Sequence, residues 1–243
     1  CNVEVRDGSL DDVVFNESWR DDSYRMTTLP KPHGLAALDL GANVGAWSIL
    51  AAKAGAPVYA VEVWSGNNDR HCINKEAAGV ADKIVIFEAA VVGHSVDKVA
   101  LDNIGDTSQV GVQIHDVIDD RYETRPMVKA IHINDLLVLR ERWWCMKVDI
   151  EGGEYDVFAG ANLGLLNRVD YIVGEFHGAS TGEHVAWIGD KQFGDLMTKL
   201  CDWGNITTMG RSRTGGMFFG HRFNVQAPLL GAERIPIARW LRQ

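Results

Sequence analysis

Cysteine is scarce in this 243-residue chain. Cys1, Cys72, Cys145 and Cys201 lie far apart, and no C-x-x-C pair occurs. Neither a zinc site nor a disulfide framework is therefore expected, and a reducing, cytoplasmic compartment is the expectation. Long apolar runs are missing too. The best candidate, residues 49–63, is interrupted by Lys53 and Pro57 and falls short of the ~18–20 apolar residues a membrane span needs. No secretory leader is visible. The chain begins at Cys1 rather than Met, which reads as a piece trimmed from something longer. An excess of basic residues is also lacking: 24 Lys and Arg stand against 33 Asp and Glu, for a net charge of −9. That balance disfavours a nucleic-acid partner, which wants a basic face, and leaves neutral or cationic small molecules open. Internal repeats and low-complexity segments are absent.

What is present is an ordinary soluble composition, 46% hydrophobic and 23% charged, with length enough for one α/β domain and a sizeable core. Residues 1–34 are rich in Asp and end at Pro30 and Pro32. They read as an amino-terminal appendage, a short strand or two with a helical turn, serving as a lid or a packing strap. From residue 35 strands and helices alternate. Strands are expected at 35–40, 58–63, 83–92, 143–149 and 169–176, and helices at 46–55, 65–79, 153–161 and 190–203. Residues 205–209 and 216–219 form a closing hairpin. This rhythm predicts a mostly parallel, doubly wound sheet over residues 35–221, with a tail at 222–243. Residues 93–134 break the rhythm with short strands around a polar loop at 103–108. Asn134 is the expected cap of a helix over 135–142.

The organising stretch is LDLGANVGAWS, residues 38–48. A buried strand ends in a glycine turn and opens a helix, whose first N–H groups face whatever binds there. Gly41 permits the tight turn. Glu62 ends the next strand and can accept both hydroxyls of a ribose. Asn43 stands where the dehydrogenase fingerprint has glycine. Asp39, two residues before Gly41, suits a cationic ligand better than a pyrophosphate. The pattern points to S-adenosylmethionine (SAM), with a ligand-free glycine turn as the alternative.

The second informative stretch is KVDIEGGEYDVFAGA, residues 147–161. It puts Asp149 and Glu151 at a strand end, facing the same crevice as Asp39 and Glu62. Together with LDLGANVGAWS and IVGEFHG at 172–178, it resembles the FkbM family of SAM-dependent methyltransferases over residues 35–178. The resemblance implies a Rossmann-like class I methyltransferase fold: a seven-stranded, mostly parallel sheet with helices on both faces and an antiparallel last strand. It also implies O-methylation of a hydroxyl on a small molecule or glycan. Carried over by motif, Asp39, Gly41, Ala42, Asn43 and Gly45 would form the first SAM motif and Glu62 the ribose acid. Val63 and Ala90 would lie near the adenine, and Thr107-Ser108 match small hydroxyl residues before the next strand. The family usually has Pro after the ribose acid, where this chain has Val63-Trp64. Trp64 could stack on the adenine.

A neutral hydroxyl needs a base as the methyl bond forms. Asp149, Glu151 and His177 are the candidates, and Asp149 can instead hold the SAM amine or cap a helix. Glu175 and His177 alternate on one strand and so share a face; His177 reads equally as a satisfied structural residue. No spacing demands a metal, although Asp149 and Glu175, with Glu151 and His177, offer ligands suited to Mg2+. Glu154 reads as a first-turn acid favoured by the helix dipole. His71, Cys72, His94, His115 and His132 lack metal-ligand spacing. Trp143-Trp144 read as core and Trp187 as a wall of the acceptor pocket. The rivals are an RNA 2′-O-methyltransferase, should Lys98, Lys129, Arg140, Arg142, Arg211 and Arg213 cluster, a nucleotide-binding oxidoreductase, and a non-catalytic SAM-binding module.

Overall fold

The computed structural model describes residues 2–102, 113–115, 125–177, 180–181, 184–185, 190–209, 215–223 and 225. The 103–108 loop with Thr107-Ser108, as well as Gly178, Trp187, Arg211, Arg213 and the tail beyond 225, lie outside them.

Three strands form the centre of the main sheet because their sequences are apolar on both faces. They are β1 (Ala36–Leu40), β4 (Trp143–Val148) and β5 (Val169–His177). Every residue of β1 and β4 is buried, as expected of parallel strands covered by helices. With β2 (Val58–Glu62), β3 (Ile84–Glu88), β6 (Gly204–Met209) and β7 (Gly215–Arg222), the order is β6-β7-β5-β4-β1-β2-β3. All pairings are parallel except those of β7, which runs antiparallel to both β5 and β6. This is the expected seven-stranded sheet. The chain winds outward from β1 to β3, then returns to the other side of β1 as β4. The switch point therefore lies between β1 and β4, where ligands of such sheets bind.

Helices α1 (Asp11–Trp19), α2 (Ala46–Ala54) and α3 (Ser65–Ala77) precede α4 (Ile133–Leu137), α5 (Glu154–Gly160), α6 (Leu163–Leu166) and α7 (Asp190–Trp203). One core cluster joins Ala37, Trp47, Ile49, Leu50, Trp144 and Val173, and a second joins Leu38, Leu40, Trp143, Phe158, Leu200 and Trp203. The alternation of β1 residues between the clusters is the period of two of a strand. A smaller four-stranded sheet has the order 90–92, 127–132, 98–102, 113–115.

Four expectations change. Residues 1–34 form helix α1 rather than strands. Asp11 and Asp12 occupy its first turn, where acids complement the dipole. Phe15 packs edge-on against Trp19, with ring centroids 4.8 Å apart. The single strand expected at 83–92 divides at Ala89, whose N–H turns to the Glu62 carbonyl at 3.1 Å. Residues 84–88 stay in the main sheet while Ala90–Val92 join the small one. Asn134 is not the cap of α4: the His132 ring accepts its N–H at 3.1 Å, and the Asn134 amide instead ties Gly160 and Asn162. Helix α6, capped by Asn162, was not anticipated.

Phe15, Tyr24, Met26 and Leu29 belong to the same core cluster as α2 and the sheet, so the amino-terminal segment shares the main core. Phe15→Ala is accordingly expected to destabilise the chain by about 3 kcal/mol. In a denaturant melt the whole transition should shift. An unshifted main transition would mean that the segment is a separate unit.

Candidate functional site

At the carboxyl end of β1 the chain turns through three left-handed residues, Gly41 (φ 76°), Asn43 (φ 49°) and Gly45 (φ 89°), into α2. Gly41 is required by contact as well as by φ: a Cβ there would lie 1.8 Å from the Asp149 carbonyl oxygen. The ends of β1 and β4 thus meet backbone to backbone. Glu62 closes the same turn. Its Oε2 accepts the Asn43 N–H and its Oε1 the Trp64 N–H, both at 2.9 Å. The Asn67 side-chain amide also reaches Oε1, at 3.5 Å, so of the roughly four lone-pair sites of a carboxylate Oε2 keeps one for another donor. Burial raises the Glu62 carboxyl against the pull of those hydrogen bonds.

Asp39 does not face the crevice with Glu62. It is fully buried, and its Oδ2 accepts the Ser48 hydroxyl at 2.6 Å. Mid-strand, it lies in register with Lys147 of β4. The Lys147 ammonium donates to the Gly41 carbonyl at 2.8 Å and lies 3.4 Å from both Asp39 Oδ1 and Asp149 Oδ2. Burial works against that charge, but the two carboxylates outweigh it and raise the lysine well above its ordinary range.

The carboxyl ends of β4 and β5 bring Asp149, Glu151, Glu175 and His177 together, each about one-fifth to one-quarter exposed. His177 Nε2 lies 3.2 Å from Glu175 Oε2 and 3.8 Å from both Asp149 Oδ1 and Glu151 Oε2. Its Nδ1 lies 2.9 Å from Glu154 Oε1. Burial alone would lower this imidazole. Hydrogen bonds to Glu154 and Glu175 and the surrounding carboxylates instead push it up to about 12. These contacts favour the protonated ring, which has no lone pair with which to act as a base. Burial and neighbouring acids push Glu151 up to about 7 despite His177. Burial also works to raise Asp149, but Lys147, His177 and the Tyr24 hydroxyl hold it below the usual carboxylate range. Glu151 (φ 53°) and Gly152 (φ 103°) are both left-handed. Such strain at a non-glycine residue is often found at functional sites. Glu154 is structural: it accepts the N–H groups of Ile150 and Gly152, both at 3.0 Å.

Other expected positions are accounted for. Ala42 donates its N–H to the Val61 carbonyl. Val63 packs with Ala90 in a small third cluster. The Trp64 ring lies against Gly66, with the Arg6 guanidinium 5.1 Å from its centroid, so Arg6 already uses part of its surface. The basic residues within the described part of the chain already have partners or close neighbours. Lys98 and Lys129 oppose each other in the small sheet, Arg140 bonds Tyr59, and Arg142 pairs with Asp170.

Sequence reasoning missed the roles of Lys147, Ser48, Tyr24, Glu17 and Arg6. The Tyr24 hydroxyl donates to Asp149 Oδ2 at 2.7 Å. Glu17 is raised to about 6 by burial and by Glu175 and Asp149, which sets α1 beside the acidic cluster. Lys147 carried a signal, as the one cation inside an otherwise apolar strand. Contacts from residues 6–24 carried none.

The profile of the family described as Methyltransferase FkbM domain matches residues 39–207. No curated protein matches in sequence. Among solved structures, the delta-N METTL16 methyltransferase domain is 12% identical. It aligns over 91% of this chain and 88% of its own, with a TM-score of 0.50. Magnesium protoporphyrin IX methyltransferase from Synechocystis, solved with bound SAH, is 14% identical over 91% and 90% of the two chains, with a TM-score of 0.48. A SAM-dependent methyltransferase from Agrobacterium tumefaciens is 13% identical over 84% and 61%, with a TM-score of 0.46. At 12% identity and a TM-score of 0.50, the likeness to the METTL16 domain speaks to the fold alone.

Replacing Lys147 by Met leaves the Asp39 carboxylate buried without its cation, which is expected to cost about 3–5 kcal/mol in chemical denaturation. The Asp39→Asn, Lys147→Met double variant should recover much of the loss. A single variant as stable as the parent would show that the pair contributes little.

Proposed function

The chain belongs to the FkbM family of SAM-dependent methyltransferases, and from that premise we propose that it moves the methyl group of SAM to a hydroxyl oxygen of a small molecule or glycan. The observation carrying this reading is the half-buried carboxylate cluster of Asp149, Glu151 and Glu175 against the glycine turn. The residues suit the cofactor. Glu62 keeps capacity on Oε2 for a ribose hydroxyl, and the carboxylates beside Gly41 match an ammonium and a sulfonium. When bound, SAM supplies a methyl group already activated by its positive sulfur.

The protein's share of the work is positioning and proton removal. Glu151 is the base in this reading. Its carboxylate takes the hydroxyl proton as the oxygen–carbon bond forms and the carbon–sulfur bond breaks, the bonding electrons returning to sulfur. Burial and neighbouring acids put its pKa near neutrality, where a general base works well. His177, held by Glu154, keeps the carboxylates of Glu151 and Glu175 oriented between turnovers.

A second reading has its own observation: one ligand atom each from Asp149, Glu151 and His177 lies within 4.8 Å of the others. Mg2+ held there would orient the acceptor oxygen, once His177 gave up its proton. Against an RNA acceptor stand the net charge of −9 and the carboxylate lining, which repels phosphates.

Calorimetry is expected to show micromolar binding of SAH, with at least tenfold loss in Glu62→Ala. If the parent binds neither SAM nor SAH, the cofactor assignment fails, and nucleotide-binding or interaction roles move forward. A screen of hydroxylated small molecules and glycans with methyl-labelled SAM should then yield an acceptor. On that acceptor Glu151→Gln is expected to lower kcat by about 10²-fold or more while SAH affinity stays within twofold. EDTA should leave transfer intact. Loss on EDTA treatment and recovery with Mg2+ would favour the metal reading, and label found only in RNA would replace the acceptor class.

A further inference from the structure

Among the described residues, Asp149 is hydrogen-bonded on one oxygen only. Its Oδ2 receives the Tyr24 hydroxyl at 2.7 Å and faces the Lys147 ammonium at 3.4 Å. Its Oδ1 has His177 Nε2 at 3.8 Å, beyond hydrogen-bond length. That oxygen keeps its lone pairs for a donor in the crevice. The Asp149 backbone carbonyl packs directly on Gly41, so the residue stands at the glycine-turn end of the site.

Tyr24 reaches this point from 125 residues away in sequence. It is 3% exposed, and its ring lies 5.2 Å from the Lys147 ammonium. Two left-handed non-glycine residues, Asp22 (φ 51°) and Arg25 (φ 54°), flank it. The Asp22 carboxylate accepts the Thr27 hydroxyl across that turn. Such a turn persists only where its surroundings hold it. Upstream, the Trp19 indole N–H donates to the carbonyl of Ala46, the first residue of α2, at 2.8 Å. The segment is therefore fixed to both lips of the switch point: α2 on one side and the end of β4 on the other.

We propose that Tyr24 is a positioning residue that locks the Asp149 carboxylate so that Oδ1 receives the ammonium of the cofactor's methionine half. Residues 2–29 then form part of the cofactor site rather than a strap outside it. A phenyl ring at this position would fill the same space but leave Oδ2 to Lys147 alone, and the carboxylate could rotate. The inference rests on the cofactor assignment above and goes one residue further.

The test needs no acceptor. SAH and 5′-methylthioadenosine share the adenosine half, and only SAH carries the amino-acid half. Both are titrated by calorimetry into the parent, Tyr24→Phe and Asp149→Asn, and a thermal melt is recorded for each. Tyr24→Phe is expected to weaken SAH about tenfold, the worth of a hydrogen bond to a charged group. It should change 5′-methylthioadenosine less than twofold, and Asp149→Asn should show the same selectivity. Unchanged SAH affinity in Tyr24→Phe overturns the proposal. So does an equal loss for both ligands, which would mean that the hydroxyl merely docks the segment. A parent that binds neither ligand removes the cofactor site itself, an outcome distinct from a parent that binds both while Tyr24→Phe behaves identically.

Discussion

A single buried ammonium joins the structural and chemical halves of this molecule. Lys147 lies between Asp39, sealed in the sheet, and Asp149, at the mouth of the crevice, and it also caps the Gly41 carbonyl. Removing three charged groups from water is expensive, and the arrangement persists because each finds a partner at short range. Its geometry follows from strand register, since Asp39 and Lys147 are direct neighbours across β1 and β4. The shape of the glycine turn and the orientation of Asp149 both derive from that register.

Around this centre, the carboxylates differ in the neighbours that hold them, although Asp149 and Glu151 share His177. Glu62 is held by two backbone N–H groups that also shape the turn. Asp149 is held ionised by cations and a hydroxyl. Glu151, with less support and a left-handed backbone, keeps its proton to higher pH. Glu154 looks inward, satisfying the start of α5 and pinning His177. Acids of one type thus sit in different electrostatic settings, the condition under which neighbouring groups can divide acid and base work.

The sheet was legible because parallel, doubly covered strands read as unbroken apolar runs ended by glycine or acid. Strands β1, β4 and β5 and helix α7 fell where the pattern put them. The same feature hid the division at Ala89: IFEAAVV is apolar on both sides of the break, and only a hydrogen bond to Glu62 marks it. Helix α1 was illegible because it buries few residues, Asp11, Phe15 and Ser18 among them, and shows no broad apolar face. At the site, the glycine and acid motifs could be read because turns and strand ends have local signatures. Asp39 misled, since an acid in a motif looks the same whether it faces a ligand or a buried lysine. Tyr24 and Glu17 act through contacts more than a hundred residues distant, and nothing in a single sequence records such a pairing.

The contact between Gly41 and the Asp149 carbonyl has an evolutionary consequence. With no room for even a methyl group, this seam tolerates no drift, and any change there would displace both strand ends together. A second seam of the same kind ties the start of the excursion between β3 and β4 to α5: a Cβ on Gly93 would lie 1.8 Å from the Asp156 carbonyl oxygen, and one on Gly160 would lie 1.8 Å from that of Gly93. Descendants of this scaffold can therefore exchange what they recognise in stretches away from the two seams, while the seams pass unaltered from one specificity to the next.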